Sequence, residues 1–412
     1  MLHYAKVRVL LGALCLVIPT VCASGQEQPV RLGLFTIRSG PVAYCGRQVE
    51  QGYGLAAKEA GGKIAGRNVD LTIADTAGQP AQALTKAQEL VEKARSNVII
   101  GPLAVFEILA MADYLKQAAL PVVPVTSADD VTQRKSTPWI LRTTPTSSQP
   151  MHPFGEYAAR TLGYKRIATL ADDTVFGQEG TAGFQRTFEE AGGQIVQRLW
   201  TPLNITDYGP AIAELKTNVD AIFVGLGSTN ALRFLKQYRA YGLNTPLLGA
   251  AASIDDSIMD RYGDEAINMI TASNYSASLD TKANKQFQKG MQDLYQQDPG
   301  PVCTIAGYLA YRFIDAAGRA IGGRIEDKDA FVKAMRNVSL PESPVGPVSL
   351  DDRGQLITNV YIRRVERVNG KLVNEVIDTI PNVTQFWKYP PEQYLAQPPY
   401  SRDFPQARFV EK

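Results

Sequence analysis

The chain contains little cysteine and almost no histidine: four cysteines and two histidines among 412 residues. Cys15 and Cys22 fall within the first 23 residues, which leaves Cys45, Cys303 and His152 in the rest of the chain. This is too little for a disulfide-rich scaffold or for a zinc-type cluster of cysteine and histidine. The two later cysteines can pair in an oxidising compartment or stay buried as free thiols, and their spacing leaves both alternatives open.

The sequence also lacks the patterns that mark common enzyme classes. It has no Gly-x-Ser-x-Gly nucleophile elbow, and Gly225-x-Gly227 lacks the third glycine of a dinucleotide-binding loop. Asp172 and Asp173 are adjacent carboxylates, but we expect them to form the solvated end of a strand. A single histidine beyond residue 23 leaves little for acid–base catalysis. We therefore predict a protein that is not an enzyme and needs neither a metal nor a cofactor.

Neither a charge excess nor a long apolar run is present beyond the N-terminus. Removing residues 1–23 takes away two basic and no acidic residues, so the formal net charge falls from +2 to 41 − 41 = 0. A neutral surface argues against nucleic acid as a partner, because phosphate binding needs a basic field. No later segment has 18 consecutive apolar residues. We expect the mature chain to be soluble and not to span a membrane.

The first 23 residues have the pattern of an export signal. Lys6 and Arg8 form a short positive region, and the apolar run at 9–17 is too short to span a bilayer. Residues 21–23 fit a small-x-small cleavage pattern, which predicts cleavage after Ala23. The alternatives are an uncleaved N-terminal anchor and lipidation of Cys22, which lacks the usual preceding residues.

The order of predicted elements indicates two α/β lobes. In each lobe, short Val- and Ile-rich runs alternate with amphipathic segments, which is typical of a parallel sheet covered on both faces. The first series has strands at 30–35, 69–74, 97–100 and 121–125 and helices at 48–60, 80–95 and 105–118. The second has strands at 166–171, 194–200, 221–225 and 246–249 and helices at 176–191, 208–216, 229–241 and 255–262.

Later segments depart from this alternation. Three helices are predicted in succession at 284–296, 305–321 and 327–337, followed by a hairpin at 359–380 around an Asn369-Gly370 turn. The tail at 381–412 is too rich in aromatic residues to be disordered, and we interpret it as a strap laid over one lobe. We predict two Rossmann-like, doubly wound lobes joined by a hinge of several crossings, with lobe I at 29–145 and 275–355 and lobe II at 146–274 and 356–380. Proteins of this build close around a ligand by hinge rotation.

Motifs spread over nearly the whole mature chain carry a family resemblance. They are Ser39-Gly40-Pro41, Gly61-Gly62-Lys63-Ile64-Ala65-Gly66, Ile100-Gly101-Pro102-Leu103, Leu141-Arg142-Thr143-Thr144, Phe176-Gly177-Gln178-Glu179-Gly180 and Gly346-Pro347-Val348. In order and spacing, the chain resembles the Leu/Ile/Val-binding type of periplasmic solute-binding proteins of ABC importers, which have the type I periplasmic-binding-protein fold. Segments 152–156, 385–387 and 400–403 resemble a subgroup linked with aromatic-acid uptake.

The resemblance implies where a ligand carboxylate is held. In this family two first-lobe loops bind the carboxylate, and here they carry Val105 and Phe106 on one side and Val125, Thr126 and Ser127 on the other. Main-chain N–H groups at helix N-termini suit an anion. The resemblance implies that Ser127 donates through its hydroxyl and N–H, although a helix N-cap is the alternative role for this residue.

Departures from the family pattern bear on the ligand. Where amino-acid-binding members place an acidic residue for the ammonium, this chain has Ala251. We expect the nearby Asp255 and Asp256 to start a helix instead, although a shift of register would restore an acidic partner.

The other implied cleft residues are Tyr44, Cys45, Phe176, Gly227, Ser228 and Cys303. Cys45 and Gly227 stand at tyrosine positions, and Cys303 is implied to approach Cys45 beside the ligand. Small residues and apolar walls favour a larger, amine-free ligand such as an aromatic carboxylate, although drift in packing would also explain them.

The resemblance therefore implies a periplasmic solute-binding component of an ABC transporter of the branched-chain amino acid type. We expect a monomer that captures a small carboxylate and delivers it to an inner-membrane permease without chemistry. The alternatives are branched-chain or other amino acid binding for import, and a ligand-sensing receptor module that acts through a partner.

Overall fold

The structure is a computed structural model that describes residues 1–3, 28–40 and 42–411 of the chain. Residues 4–23 of the predicted signal segment, and the predicted cleavage after Ala23, lie outside these residues. Within them, the α/β prediction of two doubly wound sheets is confirmed.

The first sheet lies in the N-terminal part of the chain and is mainly parallel. Its strands follow the order β2-β3-β1-β4-β5, with β1, β3, β4 and β5 parallel and β2 antiparallel to β3. The elements are β1 (Val30–Thr36), α1 (Ala43–Glu59), β2 (Lys63–Ile64), β3 (Arg67–Asp75), α2 (Pro80–Gln88, continued by a π-turn at Glu89–Lys93), β4 (Val98–Ile100), α3 (Val105–Gln117) and β5 (Val122–Val123).

The second sheet follows the same winding rule. Strands β7, β6, β8, β9 and β10 lie side by side in this order and run parallel. The elements are α4 (Met151–Arg160), β6 (Arg166–Asp172), α5 (Val175–Glu190), β7 (Gln194–Thr201), α6 (Gly209–Glu214), β8 (Ala221–Gly225), α7 (Ser228–Ala240), β9 (Leu247–Gly249) and β10 (Ile270–Ser273).

The C-terminal third completes both lobes. It contains α8 (Lys282–Tyr295), α9 (Cys303–Ala320), α10 (Lys328–Arg336), β11 (Ser339–Leu340), β12 (Val348–Leu350), β13 (Leu356–Val368), β14 (Lys371–Val383) and α11 (Pro391–Leu395). Helices α8, α9 and α10 add apolar side chains to the core of the first sheet. Strand β13 pairs antiparallel with β10, β12 and β14, so it extends the second sheet. The predicted hairpin is therefore confirmed, with Asn369 and Gly370 at positive φ in its turn.

Helices α1 and α9 pack unusually closely at the heart of the first lobe. A Cβ on Gly52 would collide with the main-chain oxygen of Thr304, and one on Gly307 would collide with that of Val49. Only glycine allows this approach of two helix backbones. The contact brings the N-terminal ends of both helices to the same edge of the first sheet.

Several predicted boundaries differ from the structure. The helix predicted from residue 48 begins at Ala43, because the small residues read as a loop are compatible with a first helical turn. The helix predicted at 255–262 is a 3₁₀ segment at Asp256–Arg261 with a non-helical break at Ile258. Helix α4 and strand β10 were not predicted, since α4 contains Pro153 and Gly155, which are unfavourable in a helix interior, and β10 has only four residues.

The C-terminal tail packs on the second lobe. Phe386, Tyr394 and Tyr400 are buried and form a small cluster with Ala182 of α5. The ring of the fully buried His152 lies among the tail tyrosines, and its Nε2 is 2.9 Å from the Tyr400 hydroxyl. Within the described residues, the tail is therefore an ordered layer over α4 and α5.

Candidate functional site

A cavity of about 490 Å³ opens between the two sheets, at the carboxyl ends of their parallel strands. Ligands of open α/β sheets bind at this edge. Eleven of the predicted site residues line the cavity: Tyr44, Cys45, Val105, Phe106, Val125, Thr126, Ser127, Phe176, Gly227, Ser228 and Cys303. Ala251 is the exception: it does not line the cavity, whereas its neighbour Ala252 does. The Ala251 carbonyl accepts a hydrogen bond from the buried Arg363. The structure thus brings nearly all of the set together, and their binding of ligand stays a prediction.

Five helices direct their N-terminal ends at the cavity. The residues that precede α1, α3, α5, α7 and α9 all line its wall: Val42, Ala104, Thr174, Gly227 and Val302. First-turn N–H groups have no acceptor within their helix, and each N-terminus carries a partial positive charge. None of the lining residues is Lys, Arg or His. The positive partial charges of the described wall therefore come from main-chain dipoles, which suit a carboxylate.

The hydroxyl groups of the β5 loop add side-chain donors. Ser127 Oγ accepts a hydrogen bond of 3.0 Å from Ser147 Oγ, which leaves its own proton free to donate toward the cavity. The N-cap alternative for Ser127 is wrong, because the next turn, at Asp129–Val131, is preceded by Ala128.

A disulfide forms part of the cavity wall. Cys45 in the first turn of α1 is bonded to Cys303 at the start of α9, and their Cα atoms are 5.4 Å apart. Both residues are buried except where they line the cavity. The hypothesis that the two cysteines lie near each other beside the cleft is confirmed, and of the two alternatives left open by their spacing the structure has the paired one.

Large apolar side chains line the cavity mouth on both lobes. Phe106 and Leu109 of α3 face it from the first lobe, and Val175 and Leu203 face it from the second. All four stay at least one-third exposed, and Phe106 is 43% exposed. When a flat apolar ligand covers exposed apolar groups on both sides of a cleft, their removal from water favours binding.

Two carboxylates on the second lobe were not predicted as site residues. Asp172 ends β6 and is only 2% exposed, so the expectation of a solvated strand end is wrong for this residue. Its Oδ2 accepts from the Gly227 N–H at 2.9 Å and its Oδ1 from Asn230 Nδ2 at 2.7 Å. Burial raises the pKa of Asp172 to about 6 despite these donors. The predicted parallel sheet was the one available signal, since it placed Asp172 at the ligand-binding edge.

Asp255 is the second of these carboxylates. It caps the 3₁₀ segment by accepting from the Ser257 N–H, as expected for a residue that starts a helix, and it also lines the cavity. Gln48 of α1 reaches across the cleft and donates to Ser257 Oγ at 2.8 Å. Tyr44, one turn earlier, is partly buried. Its loss of solvent raises its pKa to about 12, and the nearby Asp255 charge adds to this rise. These polar contacts join the two lobes beside the cavity.

The described residues contain neither a candidate metal site nor a candidate membrane span. No group of three or more Cys, His, Asp or Glu side chains there is arranged to hold a metal ion. In the same part of the chain, no helix has both the length and the hydropathy required to cross a bilayer.

The chain matches a known protein family and a characterised type of binding protein over most of its length. Residues 29–371 match the family described as periplasmic binding protein. The Leu/Ile/Val-binding protein homolog 6 of Brucella suis biovar 1 (strain 1330) is 28% identical over 383 residues, which cover 90% of this chain and 96% of that protein.

Two solved structures are similar over most of their length. An ABC transporter substrate-binding protein from Sphaerobacter thermophilus has 33% identity and a TM-score of 0.83, covering 87% of this chain and 99% of that one. A solute binding protein of an ABC transporter from Rhodopseudomonas palustris BisB5, in complex with 3,4-dihydroxybenzoic acid, has 30% identity and a TM-score of 0.82, covering 87% and 98%. The fold of this chain is the type I periplasmic-binding-protein fold that the resemblance implied.

Proposed function

Because the chain belongs to the periplasmic binding protein family, we propose that it captures an aromatic or other amine-free carboxylate between its lobes. It is a periplasmic solute-binding protein of an ABC transporter of the branched-chain amino acid type. In the proposed mechanism, the open form samples solute and the ligand bridges the lobes. The closed form then delivers the ligand to a membrane permease without any chemical step.

The observation that carries this proposal is the distribution of polarity around the cavity. Helix N-termini and hydroxyl groups offer donors for one carboxylate, and the mouth is apolar on both lobes. A flat aromatic acid matches both features, because its ring covers the apolar side chains while its carboxylate meets the donors. The relative from R. palustris, which holds an aromatic acid, supports the same ligand class.

Asp255 favours a second candidate, the binding of an amino acid. Its carboxylate faces the cavity, where an ammonium group would need a counter-charge. However, its Oδ1 already accepts from the N–H and hydroxyl of Ser257, and its Oδ2 accepts from Ser228 Oγ and Gln48 Nε2. These four donors use the acceptor capacity of the carboxylate. An ammonium would have to displace them, so we prefer the amine-free ligand.

A thermal-shift screen tests the choice. Leucine, isoleucine and valine are compared with benzoate, hydroxybenzoates and cinnamates at equal concentration. A ligand at 100 times its Kd stabilises the folded protein by about 2.7 kcal/mol. For about 390 residues this raises the unfolding midpoint by roughly 3 °C. A shift with leucine and none with any aromatic acid would overturn the proposed ligand class and favour the amino acid.

A further inference from the structure

Asp172 has unused hydrogen-bonding capacity in the cavity wall. An ionised carboxylate accepts about four hydrogen bonds. Asp172 receives two of them, from the Gly227 N–H and from Asn230 Nδ2, although it is almost completely buried. Asp255, the other carboxylate of the wall, already receives four. Of the two carboxylates in the wall, Asp172 is therefore the one with capacity left for a ligand atom that donates a hydrogen bond.

The missing side chain at Gly227 keeps this acceptor accessible. A Cβ at Gly227 would lie 3.6 Å from Asp172 Oδ2 and 3.9 Å from the Tyr44 hydroxyl oxygen. The space over Gly227 is thus flanked by a carboxylate of the second lobe and by a phenol of the first. A ligand hydroxyl in this space lies within reach of both oxygens, donating to Asp172 and accepting from Tyr44.

We propose that Asp172, Tyr44 and Gly227 form a hydroxyl-recognition subsite that makes the protein select carboxylates bearing a phenolic hydroxyl. This inference rests on the proposed function, because it names a substituent of the aromatic acid. The subsite and the carboxylate-binding groups then have separate roles. Main-chain N–H groups and Ser127 bind the carboxylate that all such ligands share, and the subsite distinguishes ligands with a hydroxyl from ligands without one.

Isothermal titration calorimetry at pH 7.5 with benzoate, 3-hydroxybenzoate and 4-hydroxybenzoate tests the subsite. For the wild type we expect at least one hydroxybenzoate to bind about tenfold or more tightly than benzoate, as for a hydrogen bond to a charged group. Asp172→Asn should reduce this ratio to near one. Asp173→Asn is the matched control, because it removes the adjacent carboxylate, which lies outside the cavity lining and bonds to Gln178 and Arg402; its ratio should equal that of the wild type.

Gly227→Ala gives an independent measurement if the Asp172 variant folds poorly. The added methyl group meets only ordinary contacts, so the fold should persist while the space for the hydroxyl shrinks. Hydroxybenzoate affinity should fall at least threefold more than benzoate affinity. Equal wild-type affinity for the three acids, or an unchanged ratio in both variants, would overturn the subsite and leave the proposed function intact. If the wild type binds none of the three acids, the subsite fails; if it also binds no aromatic acid of the thermal-shift screen, the proposed ligand class fails with it.

Discussion

The disulfide between Cys45 and Cys303 offers the strongest test of how the first lobe is held together. It closes a loop with a sequence separation of 258 residues. In the chain-entropy model a loop of this length restricts the unfolded chain by about 5.5 kcal/mol at 25 °C. Native disulfides commonly contribute about 2–5 kcal/mol, so we expect reduction to cost about 4 kcal/mol.

This free energy converts into a measurable change of the unfolding midpoint. Unfolding entropy is about 2.1 cal/mol/K per residue, which is roughly 0.8 kcal/mol/K for a mature chain of about 390 residues. A loss of 4 kcal/mol therefore lowers the midpoint by about 5 °C. The assay is differential scanning calorimetry of oxidised protein and of protein reduced until thiol titration finds two free thiols per chain.

A Cys45→Ser/Cys303→Ser double variant is the matched control. It should unfold near the midpoint of the reduced protein, and added reductant should not change that midpoint. Because the disulfide lies in the cavity wall and joins the N-terminal ends of α1 and α9, both forms should also bind ligand more weakly. A fully reduced protein whose midpoint falls by less than 1 °C would refute the reasoning.

The remaining predictions concern the cavity and the tail. Gly227→Tyr should lower aromatic-acid affinity more than 100-fold in calorimetry, because its ring fills the space between Asp172 and Tyr44; a smaller loss would mean that the ligand lies elsewhere. Ser127→Ala should weaken benzoate and hydroxybenzoate by a similar factor of about ten, since it removes a carboxylate donor; a change in their ratio would contradict this role. The hydroxybenzoate preference, measured from pH 8 to 5, should fall below pH 6, where Asp172 becomes protonated, while benzoate affinity stays nearly constant. Burial lowers the pKa of His152 from 6.5 to about 3. The stability it contributes is therefore present above pH 6.5 and is lost as the pH falls, by about 2 kcal/mol at pH 5; urea unfolding of the wild type and of His152→Gln should differ in this pH-dependent part.

Much of the architecture was predictable because its signals are local. Alternating apolar runs and amphipathic segments identified the parallel strands, and Asn369-Gly370 identified the hairpin turn. The family resemblance implied that Val105 and Ser127 share a site, and the predicted strands agree with this, because the loops that follow parallel strands meet at one sheet edge. Elements were missed where the pattern is short, as in β10, or where small residues are compatible with both loop and helix, as at the start of α1.

The polar half of the site was less predictable, because its members come from distant parts of the chain. Asp172 is followed by the polar residues Asp173 and Thr174, a pattern that predicts a solvated strand end, yet β6 ends beneath the α7 N-terminus and Asp172 is buried. Asp255 reads as the start of a helix, which it is, but only the folded chain shows that it also faces the cavity. Burial and hydrogen-bond partners depend on what packs from other elements.

By itself, the amino-acid sequence determined the class of the molecule: two doubly wound lobes, few groups for catalysis or metal binding, and small residues at cleft positions. The lobes follow from periodicity and the scarcity of catalytic groups from composition, which short stretches of chain carry, while the cleft positions come from the family resemblance. Only the tertiary structure decided that Cys45 bonds to Cys303 across 258 positions, that the tail covers α4 and α5, and that Gly227 exposes Asp172 to the cavity. Each of these depends on distances between residues far apart in the chain, and such distances are set by packing.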